Sequence, residues 1–109
     1  SQAQLANFAF SETPLSISQI ASMISALNLE SSQAGLKASD LADWLVHLGL
    51  LRTVEHGGKN YKLPTDAGKQ IGILVEARHG LNGDYYIALY NTDAQKFIID
   101  NIHGLIRVV

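Results

Sequence analysis

The chain of 109 residues contains no cysteine. Disulfide scaffolds, thiolate metal sites and cysteine nucleophiles are therefore excluded. A chain without cysteine fits the reducing cytoplasm, so we predict a cytoplasmic location. No apolar run approaches the ~20 residues that a membrane-spanning helix needs. The first residues also lack the pattern of a signal peptide, and no membrane partner is expected.

Charge is scarce as well: charged residues make up 17% of the chain, apolar residues 47%, and the net charge is −2. This balance is typical of an ordinary globular domain. A chain of this length buries roughly 65% of its unfolded surface, enough for one core. We predict one domain over residues 15–104, between an N-terminal tail or linker end at 1–14 and a C-terminal tail at 105–109.

Two short helices are expected in the first half of the chain. One set of apolar residues has the spacing of a single helical face, namely Ile20, Met23, Ile24 and Leu27. We predict helices over 18–27 and 39–48, each with its first serine as N-cap. Gly49 is placed to end the second helix in the left-handed backbone conformation. Residues 28–38, rich in Ser, Gln, Gly and Asn, predict a connection between the two helices.

Two β-hairpins are expected in the second half. His56-Gly57-Gly58-Lys59 and Asn82-Gly83 are both tight turn signals between runs of strand-forming residues. The predicted elements are strands 50–55 and 60–63, a helix 66–70 capped by Thr65, strands 71–77 and 85–90, and a helix 92–102. The pattern therefore predicts an α+β fold.

The segments LSISQIASMI, KASDLADWLVHLGLL and LPTDAGKQIG resemble winged helix-turn-helix domains of the phage antirepressor C-terminal type. The matching positions are Ile20-Ala21, Leu45, Leu48-Gly49, Thr65, Gly68 and Asn82-Gly83. The resemblance covers residues 15–102. It implies a winged helix with a second β-hairpin and a C-terminal helix, and a role in phage-like or bacterial transcriptional regulation. Two features depart from the family pattern: the connection 28–38 is longer, and the second helix carries acids where DNA readers usually carry bases.

A winged helix of this kind suggests double-stranded DNA as the partner. The second helix of a helix-turn-helix enters the major groove, and the wing contacts phosphates. The expected contacts are Ser39, Asp43 and His47 on the helix and Arg52, Lys59 and Lys62 on the wing. An Asp can accept a hydrogen bond from cytosine, but carboxylates near phosphates are repelled. Binding should therefore depend on the wing and be weak and salt-sensitive.

The sequence contains fewer features that indicate other functions. The alternative to DNA binding is a winged-helix protein-interaction or dimerisation domain of a larger protein. In this alternative, Tyr85, Tyr86 and Tyr90 on the second hairpin support a contact with a partner, or the apolar second hairpin and the tail 105–109 build a homodimer through sheet edges. The sequence has no Gly-x-Ser-x-Gly motif and no phosphate loop, so we do not expect an enzyme. Its histidines are scattered without a second His at helical spacing, so neither a metal nor another cofactor is expected.

Overall fold

The computed structural model describes residues 8–26 and 37–102. The expectations for residues 1–7, for most of the connection 28–38 and for the tail 105–109 lie outside this part of the chain. The described residues form an α+β fold of four helices and two antiparallel sheets. The elements are β1 Leu15–Ser16, α1 Ile17–Ser25, α2 Ala38–His47, β2 Leu51–His56, β3 Lys59–Pro64, α3 Asp66–Ile71, β4 Ile73–Gly80, β5 Gly83–Tyr90 and α4 Thr92–Asn101.

Both predicted serine N-caps are wrong. The N-cap of α1 is Ser16 rather than Ser18, because Ser16 and Gln19 form a reciprocal capping box. The Ser16 hydroxyl accepts from the Gln19 N–H at 3.2 Å, and the Gln19 amide oxygen accepts from the Ser16 N–H at 2.8 Å. Helix α2 begins at Ala38, so Ser39 lies inside the first turn. Its N-cap is Lys37, whose side chain makes no capping hydrogen bond.

The joint between α2 and the first hairpin, β2–β3, depends on two glycines. Gly49 ends α2 with φ +80°, as predicted. The Thr65 hydroxyl donates to the Gly49 carbonyl at 2.6 Å and accepts from the Gly68 N–H at 3.1 Å, which caps α3. A Cβ at Gly68 would overlap the Leu50 carbonyl oxygen. Thr65 and Gly68 therefore allow α3 to lie directly against Gly49 and Leu50, which connect α2 to β2.

The second hairpin, β4–β5, joins β1 in a three-stranded sheet with the order β1-β5-β4. Its turn is Leu81-Asn82, between the paired Gly80 and Gly83, one residue earlier than predicted. The reason is the register. Ile73 pairs with Tyr90 at the buried base of the hairpin, and a turn centred on Asn82-Gly83 would bring exposed Val75 opposite Tyr90 instead.

The predicted start of this strand is also wrong, because Ile71 belongs to α3. Gly72 then ends α3 in the left-handed conformation, with φ +110°. The strand therefore starts at Ile73, whose side chain is fully buried. The alternation of apolar residues predicts an earlier start of the strand, but the strand cannot begin before α3 has ended at Gly72.

The core lies between α1, α2, α4 and the bases of both hairpins. Its fully buried large side chains are Ile20, Ile24, Leu41, Leu45, Ile73, Tyr90, Ile98 and Ile102. Among the described residues the buried polar side chain is Gln95, which accepts from the Ser11 N–H at 2.8 Å and donates to the carbonyls of Ser11 and Tyr90 at 3.1 and 3.0 Å. These bonds dock residues 8–14 onto α4, and Phe8 enters the core.

Candidate nucleic-acid interface

The exposed face of α2 carries the three helix residues predicted to meet DNA. Ser39, Asp43 and His47 are spaced by four residues, so they lie one above another along the helix. All three are exposed. The buried residues Leu41 and Leu45 hold the opposite side of the helix in the core. The structure therefore brings these three predicted positions together on one surface.

An ion pair links this helix face to the first hairpin. Lys62 Nζ lies 3.3 Å from Asp43 Oδ1, with side-chain exposures of 38% and 72%. A pair this exposed contributes at most about 1 kcal/mol to stability. The pair joins β3 to α2 at the surface. It also opposes the charge of Lys62, one of the expected phosphate contacts, with a carboxylate.

The three basic side chains of the first hairpin, Arg52, Lys59 and Lys62, do not form one patch. Arg52 pairs with Leu63, Thr53 with Lys62, and His56 with Lys59. Because side chains alternate between the faces of a strand, Arg52 and Lys59 share one face of the hairpin and Lys62 lies on the other. Among the described residues, neither Arg52 nor Lys59 has an ion-pair partner.

The face with Arg52 and Lys59 turns towards the second hairpin. The Tyr86 ring lies 5.1 Å from the His56 ring and 5.8 Å from the Tyr61 ring, measured between centroids, and both contacts are nearly perpendicular. Edge-to-face contacts of this kind are favourable between aromatic rings. Tyr86 therefore joins the two hairpins, a role that no local sequence signal indicated.

The three tyrosines of β5 have three different environments. Tyr90 is buried in the core, and that burial raises the pKa of its phenol. Tyr86 is half-buried between the hairpins, and Tyr85 is exposed. Of the tyrosines predicted to support a partner contact, Tyr85 has the most exposed ring.

Residues of the candidate interface line clefts in the described part of the chain. The first, of about 330 Å³, lies between the N-terminal ends of α1 and α2 and the strands β3 and β5, and its lining includes Ser39, Lys62 and Tyr86. The second, of about 380 Å³, separates the tips of the hairpins and includes Lys59 and Tyr85. Neither His47 nor Arg52 lines these two clefts. The six predicted contact residues are therefore distributed over more than one surface.

The described residues contain neither a cluster of metal ligands nor a membrane-spanning helix. In residues 8–26 and 37–102 no three His, Asp or Glu side chains are grouped so that they could hold a metal ion. No helix in this part of the chain has the length and apolar character needed to cross a membrane. Comparison with protein-family models, curated proteins and solved structures gives no match to the chain.

Proposed function

We propose that this chain is a winged-helix module of the phage antirepressor type that binds double-stranded DNA in transcriptional regulation. The observation that carries the proposal is the joint between α2 and the first hairpin. Helix α2 ends at Gly49, β2 starts at Leu51, and the Asp43–Lys62 pair ties the helix to β3. The exposed face of α2 therefore meets the first hairpin at Lys62, and Arg52 and Lys59 extend the candidate surface along the other face of the hairpin.

The charges on this surface set the expected strength of binding. Lys59 stands beside the Gly57-Gly58 turn, where the hairpin projects farthest, so it is the base best placed to reach a phosphate. Arg52 is the second such base, and Lys62 is engaged by Asp43. With two phosphate contacts, the logarithm of the association constant should fall with the logarithm of salt concentration with a slope of about −2.

A titration of fluorescently labelled duplex at low and moderate salt tests this proposal. Lys59→Glu should weaken binding roughly tenfold at low salt, because a phosphate contact becomes a repulsion. Lys96→Glu is the matched control, since it makes the same charge change on α4, outside the candidate interface. Equal losses in both variants, or no binding by the wild-type chain at low salt, would show that the proposal is wrong.

A second variant tests how the ion pair between Asp43 and Lys62 affects DNA binding. Asp43→Asn removes the carboxylate that engages Lys62, so binding should tighten and the salt slope should steepen from about −2 to about −3. Asp100→Asn, at an exposed position on α4, changes the net charge equally without freeing a lysine. A change of slope in both variants would mean that Lys62 is not the cause.

The second candidate function is a protein-interaction or dimerisation domain without nucleic-acid contact. The exposed large apolar side chains on the second hairpin favour it, namely Leu74, Val75, Leu81 and Tyr85. Apolar groups concentrated on one element indicate a contact surface more often than scattered ones do. The same titration separates the two functions, because this candidate expects no binding of duplex even at low salt.

A further inference from the structure

The outer strand of the three-stranded sheet is long and open. In the order β1-β5-β4, one side of β4 pairs with β5, and no strand of the described residues pairs with its other side. This edge runs for eight residues, Ile73–Gly80. The first hairpin makes its aromatic contacts with Tyr86 on β5.

Strand β4 lacks the features by which edge strands usually avoid pairing. Sheet edges are commonly protected by proline, by charged side chains, above all lysine, or by a β-bulge. The sequence ILVEARHG has neither proline nor lysine, and the register with β5 is continuous from Ile73 to Gly80. Its two formal charges, Glu76 and Arg78, cancel each other in an ion pair of 3.0 Å.

The register shows which backbone groups of β4 face outwards. A two-residue turn makes the flanking pair, Gly80 and Gly83, a hydrogen-bonded pair. Bonded and non-bonded pairs then alternate along the hairpin, so Glu76 and Arg78 bond to β5. The odd-numbered residues Val75, Ala77 and His79 therefore direct their N–H and C=O groups to the open edge.

We propose that two copies of this chain associate by antiparallel pairing of their β4 strands about a two-fold axis at Ala77. Ala77 then lies opposite Ala77 of the second copy, and Val75 lies opposite its His79. Each Glu76 lies opposite Arg78 of the other copy, so two identical pairs of opposite charge flank the axis. The result is one continuous six-stranded sheet that places exposed Leu74 and Val75 at the contact.

The charge pattern selects this register over its neighbours. The N–H and C=O groups that face the open edge belong to the odd-numbered residues of β4. In a symmetric dimer, the register of the two β4 strands can therefore shift only in steps that keep odd-numbered residues opposite odd-numbered residues. One step in one direction places Glu76 opposite Glu76, and one step in the other places Arg78 opposite Arg78. Like charges directly opposite destabilise a pair of strands. Larger shifts in either direction leave several residues of each β4 strand without a partner on the other.

Sedimentation velocity over a concentration series, with charge-reversed variants, tests the proposal. Glu76→Arg or Arg78→Glu alone should weaken self-association on the order of tenfold, because each creates two like-charge pairs. An equimolar mixture of the two variants should restore it, since every cross-strand pair in the mixed dimer is again Glu opposite Arg. A change in fold cannot produce this rescue.

Ala77→Pro provides an independent test. It removes an N–H that points to the open edge and leaves the bonds between β4 and β5 in place. Circular dichroism should show retained structure, while the dimer is lost. A wild-type chain that stays monomeric up to millimolar concentration, or single variants that associate as strongly as wild type, would overturn the proposal. This result is independent of DNA binding, which the duplex titration tests separately.

Discussion

The two hairpins have the same architecture but different chemistry. Both are buried at their base, the first through Leu51 and Pro64 and the second through Ile73 and Tyr90. Beyond this buried end, the first hairpin carries the three basic residues of the candidate interface, Arg52, Lys59 and Lys62, and the second exposes large apolar side chains. This difference is the reason that we propose a polyanion as the partner of the first hairpin and a polypeptide as the partner of the second.

The largest loss of stability is expected for a substitution at the buried end of the second hairpin. Ile73 is fully buried and Val75, two residues along the same face of β4, is 44% exposed. Ile73→Ala should therefore lower the free energy of unfolding by about 3 kcal/mol through lost burial and a residual cavity. Val75→Ala should cost less than about 1 kcal/mol.

Urea unfolding followed by circular dichroism measures both changes. Similar losses for Ile73→Ala and Val75→Ala would mean that the strand is buried, or exposed, along its whole length. The contrast between a buried base and an exposed outer half would then be wrong. Retained cooperativity in both variants is the check that unfolding remains two-state.

A smaller effect is expected where the hairpins meet. Tyr86→Ala removes the ring that contacts His56 and Tyr61, and edge-to-face pairs contribute about 0.5–1.5 kcal/mol each beyond burial. The expected loss is about 2 kcal/mol. Tyr85→Ala deletes the neighbouring ring, which points to the opposite face of the strand, and should cost less than about 1 kcal/mol. Equal losses would contradict the packing of one hairpin on the other.

The order of the elements could be predicted from the sequence because its signals are local. Gly49, Thr65 and the Gly57-Gly58 turn act on their immediate neighbours, and the structure confirms each of them. The errors arise where a distant contact competes with a local signal. The Asn82-Gly83 turn signal is overruled by the burial of Ile73, nine residues away.

The candidate site was predicted less completely. The spacing of Ser39, Asp43 and His47 correctly implied one helix face. Strand alternation alone could have placed Lys59 and Lys62 on opposite faces, because they are three residues apart on one strand. Nothing in the local pattern indicates that Tyr86 lies against the first hairpin, since this contact depends on how two separate hairpins pack.

The smallest expected effect concerns the one ion pair that joins α2 to the first hairpin among the described residues. Both side chains are exposed enough for water and salt to screen them, so the pair should stabilise the fold by no more than about 1 kcal/mol. A double-mutant cycle with Asp43→Asn, Lys62→Met and the double variant isolates this coupling from other effects.

The cycle also separates stability from function. If Asp43→Asn tightens binding to duplex while the coupling free energy stays small, the carboxylate mainly competes with phosphates for Lys62. A coupling above about 1.5 kcal/mol, beyond the range of exposed pairs, would instead make the pair a structural clamp between α2 and β3. Any change in DNA affinity would then reflect a displaced hairpin, and the salt slope of Asp43→Asn should remain near that of the wild-type chain.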